Sequence, residues 1–150
     1  MISPPSAKPL QRGDFVWCAF PEREAPLRPG PLHVAYTVAI GVIAGREMAI
    51  VAYTTSRAWA GPKPPGVVTF GMDEAVQLAQ ARGFVLDLRR MAYVPITMAW
   101  FPRLDEPRRG ILGRASKGLR GTLDGIALEL ATQRPELLTR LGPLWEGPKT

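Results

Sequence analysis

RGDFVWCAFP at residues 12–21 and IVAYTTS at residues 50–56 decide the fold of this chain. In the first segment a Gly13-Asp14 turn opens an alternating run of aromatic and β-branched residues, which predicts a strand at 14–20. Both alternating sets are apolar, which suits a strand covered on both faces or one that bends across a small barrel. In the second segment an apolar strand ends abruptly in three hydroxyl side chains. A strand end is therefore the first candidate site.

Further strands follow on either side of these two segments. Residues 33–44 are rich in Val, Ile, Thr and Tyr, and Gly45-Arg46-Glu47 then turns the chain into residues 48–55, which predicts a β-hairpin. The proline- and glycine-rich residues 21–31 and 60–66 are predicted to be loops. Short strands are expected at 67–70, 84–88 and 91–100, the last tolerating Pro95 only at an edge or a bulge.

Helical patterns lie mainly at the C-terminal end. Asp73 is placed to cap a short helix over 74–82 that Gly83 ends. Ser116 is placed to cap an amphipathic helix whose apolar face consists of Leu119, Leu123, Ile126, Ala127 and Leu130. Residues 135–141 predict one more helical turn, which begins with Pro and stops at Gly142-Pro143. Strands followed by helices indicate a mainly β, α+β fold, a small barrel with helical cover.

Length and composition favour one domain. The 150 residues, 46% of them apolar, suffice for a core without disulfides or metal. We expect this domain to span residues 12–150 and the proline-rich residues 1–11 to form a flexible leader. The single Cys18 allows no disulfide framework and is expected to fill the core. No apolar stretch is long enough for a membrane span and no export signal begins the chain, so a soluble cytoplasmic protein is expected.

Charge and residue types narrow the function. The excess of 19 basic over 13 acidic residues favours polyanionic partners, although a solvated surface explains it equally well. One His and one Cys cannot form a zinc cluster, and neither a Gly-x-Ser-x-Gly motif nor a phosphate-binding loop is present. We therefore expect no metal and no cofactor. Metal-free RNA cleavage remains plausible, because it needs little more than a base, an acid and a cation.

The Gly-Asp-Phe-Val-Trp opening and the strand-end Thr-Thr-Ser resemble the PemK/MazF/Kid family of toxin endoribonucleases. The resemblance implies an SH3-like barrel with a C-terminal helix, usually a homodimer. It also implies metal-independent cleavage of single-stranded RNA within a type II toxin–antitoxin system. An acidic antitoxin would then cover the groove with an extended segment.

The same resemblance suggests four catalytic candidates. In the family an Arg-Pro-x-x-Val segment opens the second strand, and its Arg faces the strand-end Thr. Arg28-Pro29 is the literal match, but counting from the Gly-Asp turn places His33 where that Arg is expected. Thr54 matches by Val-Ala-Tyr-Thr and Thr55 by Thr-Ser. His33 can transfer protons near neutrality, yet a strand histidine satisfied by backbone or water is the alternative, as is a hydroxyl cluster that only terminates its strand.

Two more clusters are candidates for RNA binding. Ser56, Arg57, Trp59 and Lys63 combine hydroxyl, cations and an aromatic ring, which suits stacked bases and phosphates. Asp87, Arg89 and Arg90 end another strand, where the family tends to carry groove-lining polar residues. The alternatives are a packed Trp59 and an Asp-Arg surface pair.

Three functions are consistent with these features. The first is the toxin-type endoribonuclease. The second is an inactive basic barrel that binds nucleic acid or protein, which His33 and Val34 favour because they replace the family's Arg-Pro. The third is a structural protein of a phage or mobile element.

Overall fold

The computed structural model describes residues 2–3, 9–106 and 110–146. Within them eight strands and two α-helices follow one another along the chain. In order they are β1 (Ile2–Ser3), β2 (Asp14–Ala19), β3 (Leu32–Ile43), β4 (Arg46–Thr55), β5 (Val67–Phe70), α1 (Met72–Gln77), β6 (Phe84–Pro95), β7 (Ile111–Ala115), α2 (Lys117–Gln133) and β8 (Thr139–Leu141). The predicted mainly β, α+β class is confirmed.

All eight strands join one mixed sheet. Its order is β1-β7-β2-β3-β4-β6-β5, and β8 pairs in parallel with β6. Among the described pairings none connects β1 back to β5 or β8, so the sheet is not closed into a barrel. The prediction of a closed small barrel is wrong. Each face of the sheet is instead covered by its own apolar layer.

The two apolar layers explain why both sides of β2 are hydrophobic. Phe15 packs beneath the helices with Tyr36, Leu86, Leu123 and other residues. Its neighbours Val16 and Cys18 point to the opposite layer, which the segment around Trp100 and Phe101 and the residues Leu10 and Leu141 complete. Burial raises the pKa of the Cys18 thiol, which therefore stays protonated and fills the core.

The β3–β4 hairpin is confirmed, with a tighter turn than predicted. Ile43 pairs with Arg46, which leaves Ala44 and Gly45 as a two-residue turn. Both have positive φ angles, 51° and 77°, as a type I′ turn requires. The register then shifts between Thr37 and Ala39, and pairing ends at Ala35 opposite Tyr53. Beyond this point the two strands diverge.

A single strand, β6, replaces the two strands predicted at 84–88 and 91–100. Its pairing with β4 jumps, because Ala52 lies opposite Met91 whereas Tyr53 lies opposite Asp87. Leu88, Arg89 and Arg90 therefore form an insertion in the ladder, a bulge that re-aims side chains. This bulge brings Arg90 to the diverging end of the hairpin.

Of the three predicted helical segments, the one capped by Ser116 is found as predicted and the other two differ. Ser116 caps α2 as predicted, its Oγ accepting a hydrogen bond from the Leu119 N–H at 3.2 Å, and the predicted apolar face of α2 packs on the sheet. Helix α1 is shorter than predicted and begins after Gly71, not at Asp73. Residues 135–141 form a short 3₁₀ turn and strand β8, because the parallel pairing with β6 captures Thr139 to Leu141.

Ordered structure begins earlier than the predicted start near Arg12. Ile2 and Ser3 pair with Ala115 and Arg114 of β7, and Leu10 is buried. The prolines Pro4 and Pro5 lie outside the described residues. The described helices include none with the length and apolarity to cross a membrane.

Candidate functional site

The diverging end of the β3–β4 hairpin opens a cleft of about 470 Å³. We call it the hydroxyl cleft; its lining includes Trp17, His33, Thr54, Thr55, Ser56, Gln80, Arg82 and Phe84. His33, Thr54, Thr55 and Ser56, which the sequence predicts to share a groove, do line one cavity. Their hydroxyls are not equivalent, however.

Each hydroxyl of the cluster has a different partner. Thr54 is buried, and its Oγ1 donates a hydrogen bond to the Val34 carbonyl. That hydroxyl proton is therefore not available to a ligand. Thr55 Oγ1 accepts from the Arg57 N–H at 3.2 Å, which leaves its own proton free to donate to a ligand. Of the two register choices, Thr55 has the hydroxyl available for chemistry.

A second, smaller cleft of about 260 Å³ lies on the other side of His33. We call it the guanidinium cleft; it is lined by Phe20, Glu22, Arg23, Glu24, Pro31, His33, Tyr53 and Arg90. His33 lines both clefts and therefore lies between them.

Arg90 supplies the cation of this cleft. Its guanidinium carbon lies 4.1 Å from the ring centre of Tyr53 and 5.5 Å from that of Phe20. Nη2 makes a long 3.5 Å hydrogen bond to the Pro21 carbonyl, and the buried Nε has no hydrogen-bond partner among the described residues. No carboxylate of the described residues lies within ion-pair distance of the Arg90 guanidinium. The positive charge is thus held by aromatic faces, and hydrogen bonding commits only Nη2 to the described protein, with one long bond.

The surroundings of His33 favour the neutral form of its imidazole. Burial lowers the pKa of its imidazole, and the positive charge of Arg90 lowers it further. The backbone of Thr54 and the carboxylate of Glu22 oppose these effects in part. The ring also packs against Tyr53, with 4.8 Å between ring centres. A neutral imidazole beside a guanidinium can accept a proton while the cation holds an anion.

Burial acts on Arg90 as well. Desolvation lowers the pKa of its guanidinium from the ordinary value. An arginine starts so far above neutrality that the group stays protonated. Arg90 is therefore a permanent charge, and His33 is the group that titrates.

The predicted cluster of Asp87, Arg89 and Arg90 separates into two roles. Arg89 forms a two-pronged ion pair with Asp87, with both N–O distances at 2.9 Å, and its guanidinium lies 5.4 Å from the ring centre of Trp59. This pair raises the pKa of Arg89. The Asp-Arg alternative thus describes Arg89, whereas Arg90 turns into the cleft.

Trp59 borders a third cleft of about 540 Å³, which we call the tryptophan cleft. Arg57 and Trp59 line it together with Ser56, Arg82 and Phe84, which also line the hydroxyl cleft. The indole N–H donates to the Pro62 carbonyl at 3.2 Å, so Trp59 is held by its own loop. It remains about one-third exposed, at 36%.

Two predicted residues lie away from His33. Arg28 has an exposed side chain in the 21–31 loop and lines none of the three clefts. Lys63 donates to Thr69 Oγ1 at 3.2 Å and borders a groove beside α2. The structure therefore does not bring them to the diverging hairpin end.

The sequence patterns missed several residues that the structure brings together. Tyr53 precedes the hydroxyl cluster and is not among the predicted site residues, yet it contacts both His33 and Arg90. Gln80 and Arg82 follow α1 and were assigned to the helix. The break in alternation at Leu88-Arg89-Arg90 was the available signal for a bulge.

Comparison with known proteins adds no family assignment. The sequence matches no family model and no curated protein. Among the described residues there is also no group of three or more His, Cys, Asp or Glu side chains placed to hold a metal ion. The functional argument therefore depends on the clefts themselves.

Proposed function

We propose that this protein is a metal-independent endoribonuclease that cleaves single-stranded RNA, with His33 and Arg90 at its catalytic centre. The observation that carries the proposal is that His33 and Arg90 line one open cleft, and that Arg90 forms no ion pair with the described residues. An imidazole can serve as the base, and a guanidinium as the cation, in phosphodiester cleavage without metal.

The reaction uses the RNA's own 2′-hydroxyl as nucleophile. Neutral His33 takes the proton from the 2′-oxygen as that oxygen forms a bond to the adjacent phosphorus. The bond from phosphorus to the 5′-oxygen breaks, and this oxygen takes a proton from water in the open cleft. The products are a 2′,3′-cyclic phosphate and a 5′-hydroxyl. Arg90 stabilises the negative charge that grows on the phosphoryl oxygens.

Arg90 would compensate for the arginine that the PemK/MazF/Kid pattern expects where His33 stands. The free proton of Thr55 provides a further donor in the neighbouring hydroxyl cleft. The charge excess and the aromatic Trp59 suit a single-stranded polyanion along the neighbouring surface.

The wider biology is proposed from the same resemblance. We place the open sheet beside the SH3-like barrels of that family as a divergent variant. The protein would act in the cytoplasm as the toxin of a type II toxin–antitoxin pair, as a homodimer. An acidic antitoxin segment would compete with RNA for the cationic clefts.

A cleavage assay in chelator tests this proposal. Unstructured RNA is incubated with the wild type, His33→Gln, Thr55→Ala and Arg90→Gln, and fragment ends are identified by mass spectrometry. Cyclic phosphate ends from the wild type, and their loss in the His33 and Arg90 variants, support the enzyme. Arg46→Gln, at the exposed tip of the same hairpin, is the matched control and should cleave normally. A folded wild type that leaves every RNA intact contradicts the proposal.

A binding module is the second candidate. It is favoured by Thr54, whose hydroxyl is committed to Val34, and by Glu22 and Glu24, which place carboxylates on the cleft beside Arg90. Salt-sensitive RNA binding by the wild type without any cleavage would support this candidate.

A further inference from the structure

The departing 5′-oxygen of the proposed reaction needs a proton, because a free alkoxide is a poor leaving group. Neither residue assigned so far supplies it. His33 acts as the base and begins the reaction in its neutral form, and Arg90 keeps its protons throughout. A proton donor fixed on the same cleft would serve this oxygen better than water that must diffuse to it.

Tyr53 lines the guanidinium cleft together with His33 and Arg90. Three neighbours contact its ring. The ring centres of His33 and Phe20 lie 4.8 and 5.3 Å from that of Tyr53, and the guanidinium carbon of Arg90 lies 4.1 Å from it. The backbone of Tyr53 is also paired in the sheet, opposite Ala35 of β3. Both the ring and the backbone are therefore held in place.

The hydroxyl is the one polar group of this fixed side chain. It has no hydrogen-bond partner among the described residues. Tyr53 is half-buried, and its hydroxyl is open to solvent, whereas the hydroxyl of Tyr36 is enclosed in the core. A phenol has one proton to donate. The proton of Tyr53 is therefore available to a molecule that enters the cleft.

A phenol beside a guanidinium has the chemistry of a proton donor. A phenol is a much stronger acid than the ribose 5′-hydroxyl, so transfer of its proton to a departing 5′-oxygen is favourable. The phenolate that remains carries a negative charge next to Arg90. Burial lowers the pKa of the Arg90 guanidinium, and a negative charge on Tyr53 opposes that effect. The guanidinium and the phenolate therefore stabilise each other.

We infer that Tyr53 is the general acid of the cleavage reaction and that its hydroxyl, in place of water, protonates the departing 5′-oxygen. This inference rests on the RNA-cleaving function proposed above and names the residue that acts opposite the base. The O–H bond of Tyr53 breaks as the bond from phosphorus to the 5′-oxygen breaks, and the proton passes to that oxygen. After the products leave, the phenolate takes a proton from water and the His33 imidazolium gives one to water.

A substrate whose leaving group needs no proton tests this assignment. Two short RNAs are made around one cleavage site that has been identified with the wild type. The first is natural, and in the second a sulfur atom replaces the 5′-oxygen at that site. A thiolate departs without protonation, so cleavage of the second RNA does not depend on a general acid. Single-turnover rates in chelator are measured for both.

Three variants are compared with the wild type on both substrates. Tyr53→Phe keeps the aromatic ring and removes only the hydroxyl. It should slow cleavage of the natural RNA by about 100-fold and leave the rate on the sulfur-containing RNA unchanged. His33→Gln removes the base and should slow cleavage of both RNAs. Tyr93→Phe loses the hydroxyl of a tyrosine that lines none of the three clefts, and it should keep both wild-type rates. Circular dichroism checks that each variant is folded.

Failure of this inference is distinguishable from failure of the enzyme. An equal loss on both RNAs in Tyr53→Phe would show that the hydroxyl supports the site without donating the proton. A wild-type rate of Tyr53→Phe on the natural RNA would leave the proton to water. Either result overturns the role of Tyr53, while cleavage by the wild type leaves the nuclease intact. A folded wild type that cleaves no RNA overturns both.

Discussion

At the Gly13 turn the guanidinium of Arg114 meets a buried carboxylate, whereas at the diverging hairpin end the guanidinium of Arg90 meets two aromatic rings and a carbonyl. Asp14 is fully buried and accepts from Arg114 at 2.7 and 3.2 Å and from the Gln11 N–H at 2.8 Å. Arg90 makes one long hydrogen bond, from Nη2 to the Pro21 carbonyl, and no ion pair with the described residues. The same side chain serves the fold in one region and leaves donors for a ligand in the other.

The difference has an energetic basis. A buried carboxylate is tolerable only when charged donors surround it, so Asp14 and Arg114 depend on each other. Aromatic faces stabilise a cation without using its N–H groups. Arg90 can therefore be partly buried and still bind an anion, and the two regions should respond oppositely to mutation.

The largest expected effect is at the Gly13 turn. Asp14→Ala leaves Arg114 and the Gln11 N–H without their acceptor, and we expect the free energy of unfolding to fall by about 3 kcal/mol. Urea denaturation measures this loss. Asp105→Ala, at an exposed site, should change it by less than about 0.5 kcal/mol. Similar small changes in both variants would show that the pair of Asp14 and Arg114 does not stabilise the fold.

The second effect is on catalysis at Arg90. Arg90→Gln should lower the RNA cleavage rate by about 100-fold, because the charge that stabilises the transition state is lost. Its cost in unfolding free energy should be only about 1 kcal/mol, from the lost contacts with Tyr53 and Phe20. Single-turnover cleavage and urea denaturation of the same preparation give both numbers. A stability loss as large as that of Asp14→Ala would show that Arg90 serves the fold.

The third effect is a pH dependence that comes from His33. Its pKa is lowered in the folded protein, so the unfolded chain binds the proton more readily. The stabilising contribution is present above the unfolded pKa of about 6.5 and is lost as the pH falls through the folded pKa. His33→Gln should flatten this part of the stability curve, which thermal denaturation at several pH values measures. The same dependence of stability on pH in both proteins would contradict a lowered pKa of His33 in the folded state.

Cleavage should follow the same titration. Because neutral His33 acts as the base, the wild-type rate should fall on the acidic side as the imidazole becomes protonated. A rate that rises on acidification would assign the base role to another group.

The smallest effect concerns backbone strain beside the hydroxyl cleft. Ala79 has a φ of 55°, and Ala79→Gly should raise the free energy of unfolding by about 1 kcal/mol, because glycine adopts this conformation without a Cβ clash. Ala44→Gly, with a φ of 51° at the hairpin tip, is the matched control and should stabilise similarly. Urea denaturation measures both changes. A loss of stability in Ala79→Gly would contradict the expected relief of strain at this position.

The sequence predicted what local patterns encode. The β3–β4 hairpin, the Ser116 cap and the apolar face of α2 all follow from residues near in sequence, and each is confirmed. The grouping of His33 with the hydroxyls of Thr54 to Ser56 came from the family resemblance, and the four residues do line one cleft.

Long-range pairing was beyond those patterns. Arg90 reaches His33 only because the ladder of β6 skips Leu88 to Arg90, a geometry that depends on the partner strand β4. The open sheet likewise depends on β1 and β8, whose two- and three-residue strands are too short to show a period. Gln80 lines the hydroxyl cleft because α1 ends at Gln77, earlier than Gly83 indicated.

The central claim is that a phosphate binds between His33 and Arg90, and the chain's single histidine makes it directly testable. Proton NMR follows the one imidazole through a pH titration, in the wild type and in Arg90→Gln, with and without saturating 2′-O-methyl oligonucleotide. We predict a pKa below 6.5 in the free wild type, a higher pKa in Arg90→Gln, and a rise when the oligonucleotide places its negative charge beside the ring. An imidazole pKa that stays the same when Arg90 is replaced and when the oligonucleotide binds would contradict the account.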